Sequence, residues 1–88
     1  MQDLKSWDSR ASQWQEIRNE RPIPERNRQR RLVPEVRVAA RVVWGRDGEE
    51  TIDTLALYFA GRDVLIEMVD LRWRLRGVWL RAEDVRRI

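Results

Sequence analysis

Alternation of apolar side chains constrains the fold of this chain more than any other feature. Between residues 35 and 45 every second position is apolar, and the positions that share this face are Val36, Val38, Ala40, Val42 and Trp44. A repeat of two predicts a β-strand with one face directed at a core. Asp47 and Gly48 follow, and an Asp-Gly pair is favoured in tight hairpin turns. The sequence therefore predicts a hairpin whose return strand covers residues 51–59.

Further turn signals predict the rest of a small sheet. Residues 61–63 contain a glycine and an aspartate and predict a second turn, and residues 64–69 predict a third strand. Residues 77–88 begin with a glycine and predict a strand, a one-turn break at residues 82–84 and a last short strand. Together with the hairpin, these segments predict five strands.

Two structures are open for residues 70–76. In a strand, Arg72, Arg74 and Arg76 would share one face, because alternate side chains of a strand point the same way. In a loop, the same arginines would form a basic tip that also carries Trp73.

The order of these elements resembles that of the SH3-like barrels, including their Tudor and KOW-type relatives. The opening strand at residues 36–44 and the glycine, apolar strand, single 3₁₀ turn and apolar strand of residues 77–85 carry the resemblance. The chain is also similar to small proteins of actinobacteria and their phages. The resemblance implies a mainly β, five-stranded SH3-like barrel over residues 35–88. The tight turn at Asp47 favours the Tudor or KOW-type branch over signalling SH3 domains, and fold resemblance alone implies no function.

The first twenty residues predict an amphipathic helix. Apolar side chains recur there at intervals of three and four, at Leu4, Trp7, Ala11, Trp14 and Ile17. A helix of this length is marginal in water by itself, so we expect its apolar face to be buried. It would cover the open edge and the apolar second strand of the barrel, or it would bind another protein or a second copy of the chain.

Residues 21–34 predict an extended arm between the helix and the barrel. Pro22, Pro24 and Pro34 each remove a backbone donor and disfavour helix. Residues 18–34 carry only two acidic residues, Glu20 and Glu25, against six arginines: Arg18, Arg21, Arg26, Arg28, Arg30 and Arg31. This composition predicts a phosphate-binding tail, and a solvated linker from a GC-rich genome would share it.

The composition argues against catalysis. The chain has no cysteine and no histidine, the usual nucleophile, general base and metal ligands. The acidic residues around the first turn lack the spacing of a calcium loop, so we expect no metal and no cofactor. The chain lacks a run of about 18 apolar residues and the apolar core of a secretory signal, so we predict a cytoplasmic protein without membrane contact.

We therefore predict a non-catalytic accessory binding protein, not an enzyme. The first candidate partner is nucleic acid, contacted through Arg26, Arg28, Arg30, Arg31, Arg72, Arg74 and Arg76, with Trp73 as a core residue or as a platform for a base. The second is a partner protein, with the chain as an adaptor or inhibitor of phage or mobile-element type anchored by Trp7 and Trp14. A third reading, a subunit of a homo-oligomer, follows from the small core.

Overall fold

The computed structural model describes residues 13–88, which form one five-stranded antiparallel sheet. The strands are β1 (Arg30–Trp44), β2 (Gly48–Ala60), β3 (Asp63–Glu67), β4 (Gly77–Arg81) and β5 (Val85–Arg87), and single 3₁₀ turns lie at Arg26–Arg28 and Ala82–Asp84. The prediction of a mainly β, five-stranded chain is confirmed, including the one-turn break before the last strand. The described part of the chain contains no helix long and apolar enough to cross a lipid bilayer.

The strands lie in the order β4-β3-β2-β1-β5 across the sheet. β1 and β2 form the predicted hairpin, whose register extends to Arg30 opposite Phe59 and shifts between Arg31 and Val36. Gly48, at the start of β2, has a φ of 79°, a left-handed conformation that glycine adopts without steric cost. The Asp-Gly pair therefore turns the chain where the sequence predicts the turn.

The hydrophobic core contains the alternating positions of β1. Val38, Ala40, Val42 and Trp44 are all buried, and Val36 packs at the margin of the same cluster. The other strands contribute further fully buried side chains, namely Ile66 of β3 and Val78 and Leu80 of β4. The two-residue repeat thus identified the buried face of β1 correctly, because a pleated strand directs alternate side chains to one side.

Residues 13–20 do not form the helix predicted over residues 1–20. Ile17 is buried and forms a β-bridge with Trp44, and a turn follows at residues 18–19. The bridge consists of two backbone hydrogen bonds to the end of β1: Arg18 N–H to the Val43 oxygen at 2.7 Å, and Gly45 N–H to the Glu16 oxygen at 2.9 Å. Residues 1–12, which include Leu4, Trp7 and Ala11 of the predicted helix, lie outside the described residues.

The pairing of this segment with β1 has a clear physical reason. β5 pairs with β1 only from Val38 to Ala40, so the same edge of β1 has unpaired backbone groups beyond Ala40. Buried or half-buried backbone donors and acceptors need hydrogen-bond partners. An extended segment can supply such partners to a strand edge, whereas a helix uses its backbone groups internally.

The same segment also reaches the opposite edge of the sheet. Arg21 N–H donates a 2.8 Å hydrogen bond to the carbonyl oxygen of Trp79, which lies on edge strand β4. The side chain of Asn19 accepts from Val43 N–H at 3.0 Å and donates to the Arg41 oxygen at 2.9 Å. Residues 15–21 therefore link β1 and β4, two strands that are not neighbours in the sheet.

The predicted arm at residues 21–34 is partly a strand. β1 begins at Arg30, and Arg30 and Arg31 lie opposite Phe59 and Tyr58 of β2. Helix is absent from these residues apart from the single 3₁₀ turn at Arg26–Arg28, as the prolines predict. β1 extends further toward the N-terminus than its alternation indicates, because the far end of β2 also needs a backbone partner.

Residues 68–76 form the loop between β3 and β4, which decides the alternative left open for residues 70–76. Met68 is buried, and Trp73 is half-buried and packs against the core. The indole N–H of Trp73 donates a 3.0 Å hydrogen bond to the carbonyl oxygen of Gly77. Trp73 is thus held against the core by its loop.

Candidate nucleic-acid interface

Five exposed arginines gather around the turn between β2 and β3. The strand register places two of them at the end of β2, with Arg30 opposite Phe59 and Arg31 opposite Tyr58. A guanidinium nitrogen of Arg28 lies 3.8 Å from the position that a Cβ atom would take at Gly61. With Arg26 of the adjoining 3₁₀ turn and Arg62 of the strand turn they form the Gly61 arginine cluster, which we define as Arg26, Arg28, Arg30, Arg31 and Arg62.

The positive charge of the Gly61 arginine cluster is not compensated within residues 13–88. No carboxylate of the described residues lies within 4.0 Å of any of the five guanidinium groups. Arg30 donates a 2.9 Å hydrogen bond to the backbone oxygen of Asn27. The neighbouring carboxylate of Asp63 is approached by Arg21 at 3.5 Å and by Arg81 at 4.0 Å. The cluster therefore presents several exposed donors suited to phosphate oxygens.

Arg62 is the member of this cluster that sequence reasoning missed. The sequence places Arg62 in a turn but gives no sign of which other arginines that turn approaches. The pairing of β1 with the end of β2 brings residues 26–31 beside it. This long-range pairing supplies the information that local patterns lack.

Arg74 and Arg76 lie at the opposite end of β3 from the Gly61 arginine cluster. Both are exposed and belong to the β3–β4 loop. β3 leads from the Gly61 turn to this loop over Asp63–Glu67, a length of roughly 16 Å at the usual rise per residue. The predicted nucleic-acid residues therefore form two separate exposed groups.

Arg72 belongs to neither exposed group. Its guanidinium lies over the ring of Trp44, with the Cζ atom 4.1 Å from the ring centroid. It also donates hydrogen bonds to three carboxylates, those of Asp70 at 2.8 and 2.9 Å, Glu50 at 2.8 Å and Asp47 at 3.2 Å. These bonds use four of the five guanidinium N–H groups, so Arg72 has no pair of donors left for a phosphate. We therefore remove Arg72 from the candidate nucleic-acid contacts.

The Arg72 cluster, which we define as Arg72 with Trp44, Asp47, Glu50 and Asp70, joins the β3–β4 loop to the β1–β2 turn. Hydrogen bonds from Arg72 hold the pKa of Asp70 below its ordinary value, and those from Gln15 and then Arg72 do the same for the pKa of Asp47. The same carboxylates, Asp70 first, raise the pKa of Arg72. Within residues 13–88 no group of acidic side chains is arranged to hold a metal ion. The Arg72 cluster thus holds the β3–β4 loop against the β1–β2 turn through hydrogen bonds and a cation–π contact.

Gln15 is a second residue that the sequence analysis did not single out. Its side-chain oxygen accepts from the backbone N–H groups of Arg46 and Asp47, at 3.0 and 3.1 Å. Its side-chain nitrogen donates to the Asp47 carboxylate at 3.0 Å, and its backbone N–H donates to the Arg72 oxygen at 2.8 Å. Gln15 thereby fixes the N-terminal segment to the Arg72 cluster.

The exposed aromatic side chains of the described residues are Trp14 and Phe59, at 36% and 40% exposure. Trp14 lines a shallow cleft together with Trp73 and Arg74, remote from the Gly61 turn. Trp7, its predicted companion anchor, lies outside the described residues. Phe59 lies at the end of β2, directly opposite Arg30. The sequence predicts that this part of β2 is covered, whereas in the structure Phe59 is exposed beside the Gly61 arginine cluster.

An apolar groove of about 270 Å³ lies between the N-terminal segment and the β3–β4 loop. Its apolar lining includes Ile23, Leu57, Leu65, Leu75 and Trp79, and Glu20 and Arg76 also line it. Ile23 and Leu75 are 73% and 48% exposed.

Comparison of the chain with protein-family models, with curated proteins and with solved structures finds no match.

Proposed function

We propose that this chain is a non-catalytic, cytoplasmic nucleic-acid-binding protein that holds phosphates with the Gly61 arginine cluster. One observation carries the proposal: five exposed arginines lie in or beside the turn between β2 and β3, and no described carboxylate lies within 4.0 Å of their guanidinium groups. Guanidinium groups bind phosphate oxygens in pairs and release counterions from the nucleic acid when they do so. Four of the arginines predicted from the sequence remain candidate phosphate contacts: Arg26, Arg28, Arg30 and Arg31. Arg62 is added to them, and Arg74 and Arg76 form a separate group.

An SH3-like barrel is the fold we propose for this sheet. The strand order β4-β3-β2-β1-β5 and the single 3₁₀ turn at Ala82–Asp84, just before β5, support it. The bonds from residues 15–21 to both β1 and β4 also support it, because they draw the two sides of the sheet together. Fold resemblance leaves the function to be tested at the site itself.

The test compares two double variants that carry the same net charge. Arg28→Gln with Arg31→Gln removes two members of the Gly61 arginine cluster, and Arg74→Gln with Arg76→Gln removes the two exposed arginines of the β3–β4 loop. Binding to labelled single-stranded and duplex DNA and RNA is measured by fluorescence anisotropy between about 50 and 200 mM salt, where phosphate contacts dominate the salt dependence. Tryptophan fluorescence checks that both variants fold.

We expect the first double variant to bind more weakly and to lower the slope of log K against log salt by about 1.5, the loss of two phosphate contacts. The second double variant should keep most of the affinity and slope. Equal effects of the two double variants would mean that binding depends on the net charge of the chain and not on the Gly61 arginine cluster. No binding by the unaltered chain at about 50 mM salt would refute the proposal, because even weak phosphate contacts are detectable there.

A partner protein is the second candidate, and the apolar groove favours it. Ile23 and Leu75 expose apolar surface beside a concave site, and such surfaces are frequent at protein interfaces. A partner retained at high salt and lost on Leu75→Ser, while Arg28→Gln has no effect, would favour this reading over nucleic acid.

A further inference from the structure

We infer that the Gly61 arginine cluster takes single-stranded nucleic acid, with Phe59 as the surface on which an unpaired base stacks. This inference rests on the proposed function and adds the class of nucleic acid to it. Its central observation is an exposed aromatic ring opposite one of the unpaired arginines.

The ring of Phe59 lies on the core-facing side of the sheet, at its open end. Phe59 pairs with Arg30 of β1 and with Val64 of β3, and directly opposed residues of antiparallel strands project from the same face. Val64 packs against the hydrophobic core. The core therefore ends at this point, and Phe59 forms its margin toward solvent.

Phe59 is exposed although it projects from the core-facing side of the sheet. Its exposed fraction is 40%, whereas Val64, directly opposite on β3, packs against the core. Full burial of such a side chain contributes about 1.5–3 kcal/mol, and the exposed part of Phe59 forgoes a share of this free energy. A ligand with a flat apolar face would recover part of it.

The surrounding charges match a nucleic-acid strand. Arg30 lies across from the ring on β1, and Arg28 and Arg62 lie at the turn that begins after Ala60. A base on the ring would thus have guanidinium groups beside it for the adjoining phosphates. Aromatic rings with flanking cations are the usual means of holding single strands without sequence preference.

Stacking distinguishes single strands from duplexes for a geometric reason. In a duplex each base is stacked between its neighbours, so its faces are not available to a ring on a strand surface. In a single strand an unstacked base can rest on Phe59 while its phosphates contact the arginines. Phosphate contacts alone would hold both forms, and the ring would add affinity only for the single strand.

The experiment measures a dT oligonucleotide and a duplex of equal length against the unaltered chain, Phe59→Leu and Phe59→Tyr. Leucine keeps an apolar side chain but removes the aromatic face, whereas tyrosine keeps that face. We expect Phe59→Leu to weaken binding of the dT strand by about 5- to 100-fold, the range for one base stacked on one ring. Duplex affinity should be unchanged, and Phe59→Tyr should bind the dT strand nearly as well as the unaltered chain.

A second measurement covers the case in which Phe59→Leu does not fold. The unaltered chain is photo-crosslinked to a single strand carrying 5-bromodeoxyuridine, and mass spectrometry locates the attachment. Attachment within β2 at Phe59 supports the inference, and attachment only in the β3–β4 loop overturns it.

Failure of this inference is distinguishable from failure of the proposed function. If single strand and duplex bind equally, and Phe59→Leu changes neither, stacking is refuted while the phosphate contacts of the cluster stand. If neither form binds at about 50 mM salt, both proposals fail together.

Discussion

At the scale of single residues, the structure separates arginines that the sequence presents as equivalent. Arg72, Arg74 and Arg76 alternate along the chain, yet only the last two are exposed, because Arg72 is held over Trp44 by three carboxylates. A planar guanidinium can stack on a ring with its face and donate hydrogen bonds along its edge at the same time. This geometry makes Arg72 a link between the loop and the hairpin turn.

Because the pKa of Asp70 is lowered, the stabilising effect of the Arg72 cluster depends on pH. Because Arg72 lowers the pKa of Asp70 in the folded chain, the unfolded chain binds more protons near this pKa, and stability rises with pH. The charge of Asp70 makes its full contribution to the free energy of unfolding above the ordinary pKa of about 4. This contribution is lost as the pH falls through the lower pKa of the folded chain.

We predict that Asp70→Asn lowers the free energy of unfolding at pH 7 by about 1–2 kcal/mol, the scale of hydrogen bonds between charged groups. The difference from the unaltered chain should shrink as the pH falls from about 4 through the lower folded pKa of Asp70, because Asp70 then becomes protonated in the folded chain as well. Urea denaturation followed by tryptophan fluorescence from pH 7 to 3 measures it. Asp53→Asn, on the exposed side of β2, is the control and should change stability by less than about 0.5 kcal/mol. Parallel pH profiles for Asp70→Asn and the unaltered chain would contradict the role of Asp70.

At the scale of elements, the N-terminal segment is part of the sheet and not an appendage. Residues 15–21 satisfy backbone groups at the end of β1 and on β4, and Arg30 already lies in β1. Deleting residues 1–34 would therefore remove strand partners along with the arginines. For this reason the arginine function is tested by side-chain replacement.

We predict that Asn19→Ala destabilises this connection by about 1–3 kcal/mol, because it leaves the Val43 N–H and the Arg41 carbonyl without their side-chain partner. The amide hydrogen of Val43 should exchange faster with solvent, and the midpoint of chemical denaturation should be lower. Asn27→Ala, at an exposed position of the 3₁₀ turn, is the matched control and should have little effect. Equal midpoints for the two variants would mean that water replaces the Asn19 side chain at no cost.

At the scale of the whole molecule, the two ends of the β1–β2 hairpin differ in charge. The Gly61 end carries exposed arginines without described acidic partners, whereas the end with the Asp47 turn holds the carboxylates of the Arg72 cluster. A polyanion should therefore approach one end in preference to the other.

We predict that a dT oligonucleotide shifts the backbone amide NMR signals of residues 26–31 and 59–62 and leaves those of residues 72–76 nearly unchanged. The reason is that phosphate contacts act over short range at physiological salt, where the Debye length is about 8 Å. The matched measurement uses an uncharged oligonucleotide analogue, which should cause smaller shifts at the arginines. Larger shifts in the β3–β4 loop than at the Gly61 turn would assign binding to Arg74 and Arg76.

The sequence by itself determined the features that depend on near neighbours. The alternation in residues 36–44, the turn at Asp47 and Gly48, and the strand, 3₁₀ turn and strand after Gly77 were all predicted and confirmed. Side-chain periodicity and turn chemistry are properties of a few consecutive residues, so a sequence displays them directly.

Only the tertiary structure decided which residues meet. The contact of Arg72 with Trp44 and Asp47, the bridge of Ile17 with Trp44 and the approach of Arg28 to Gly61 all join positions far apart in the chain. The apolar spacing of residues 4–17 predicted a helix, but residues 16–18 instead pair with the free edge of β1. The helix propensity of a short segment is worth less free energy than the hydrogen bonds of buried backbone groups. Which backbone groups need partners is decided by the folded sheet.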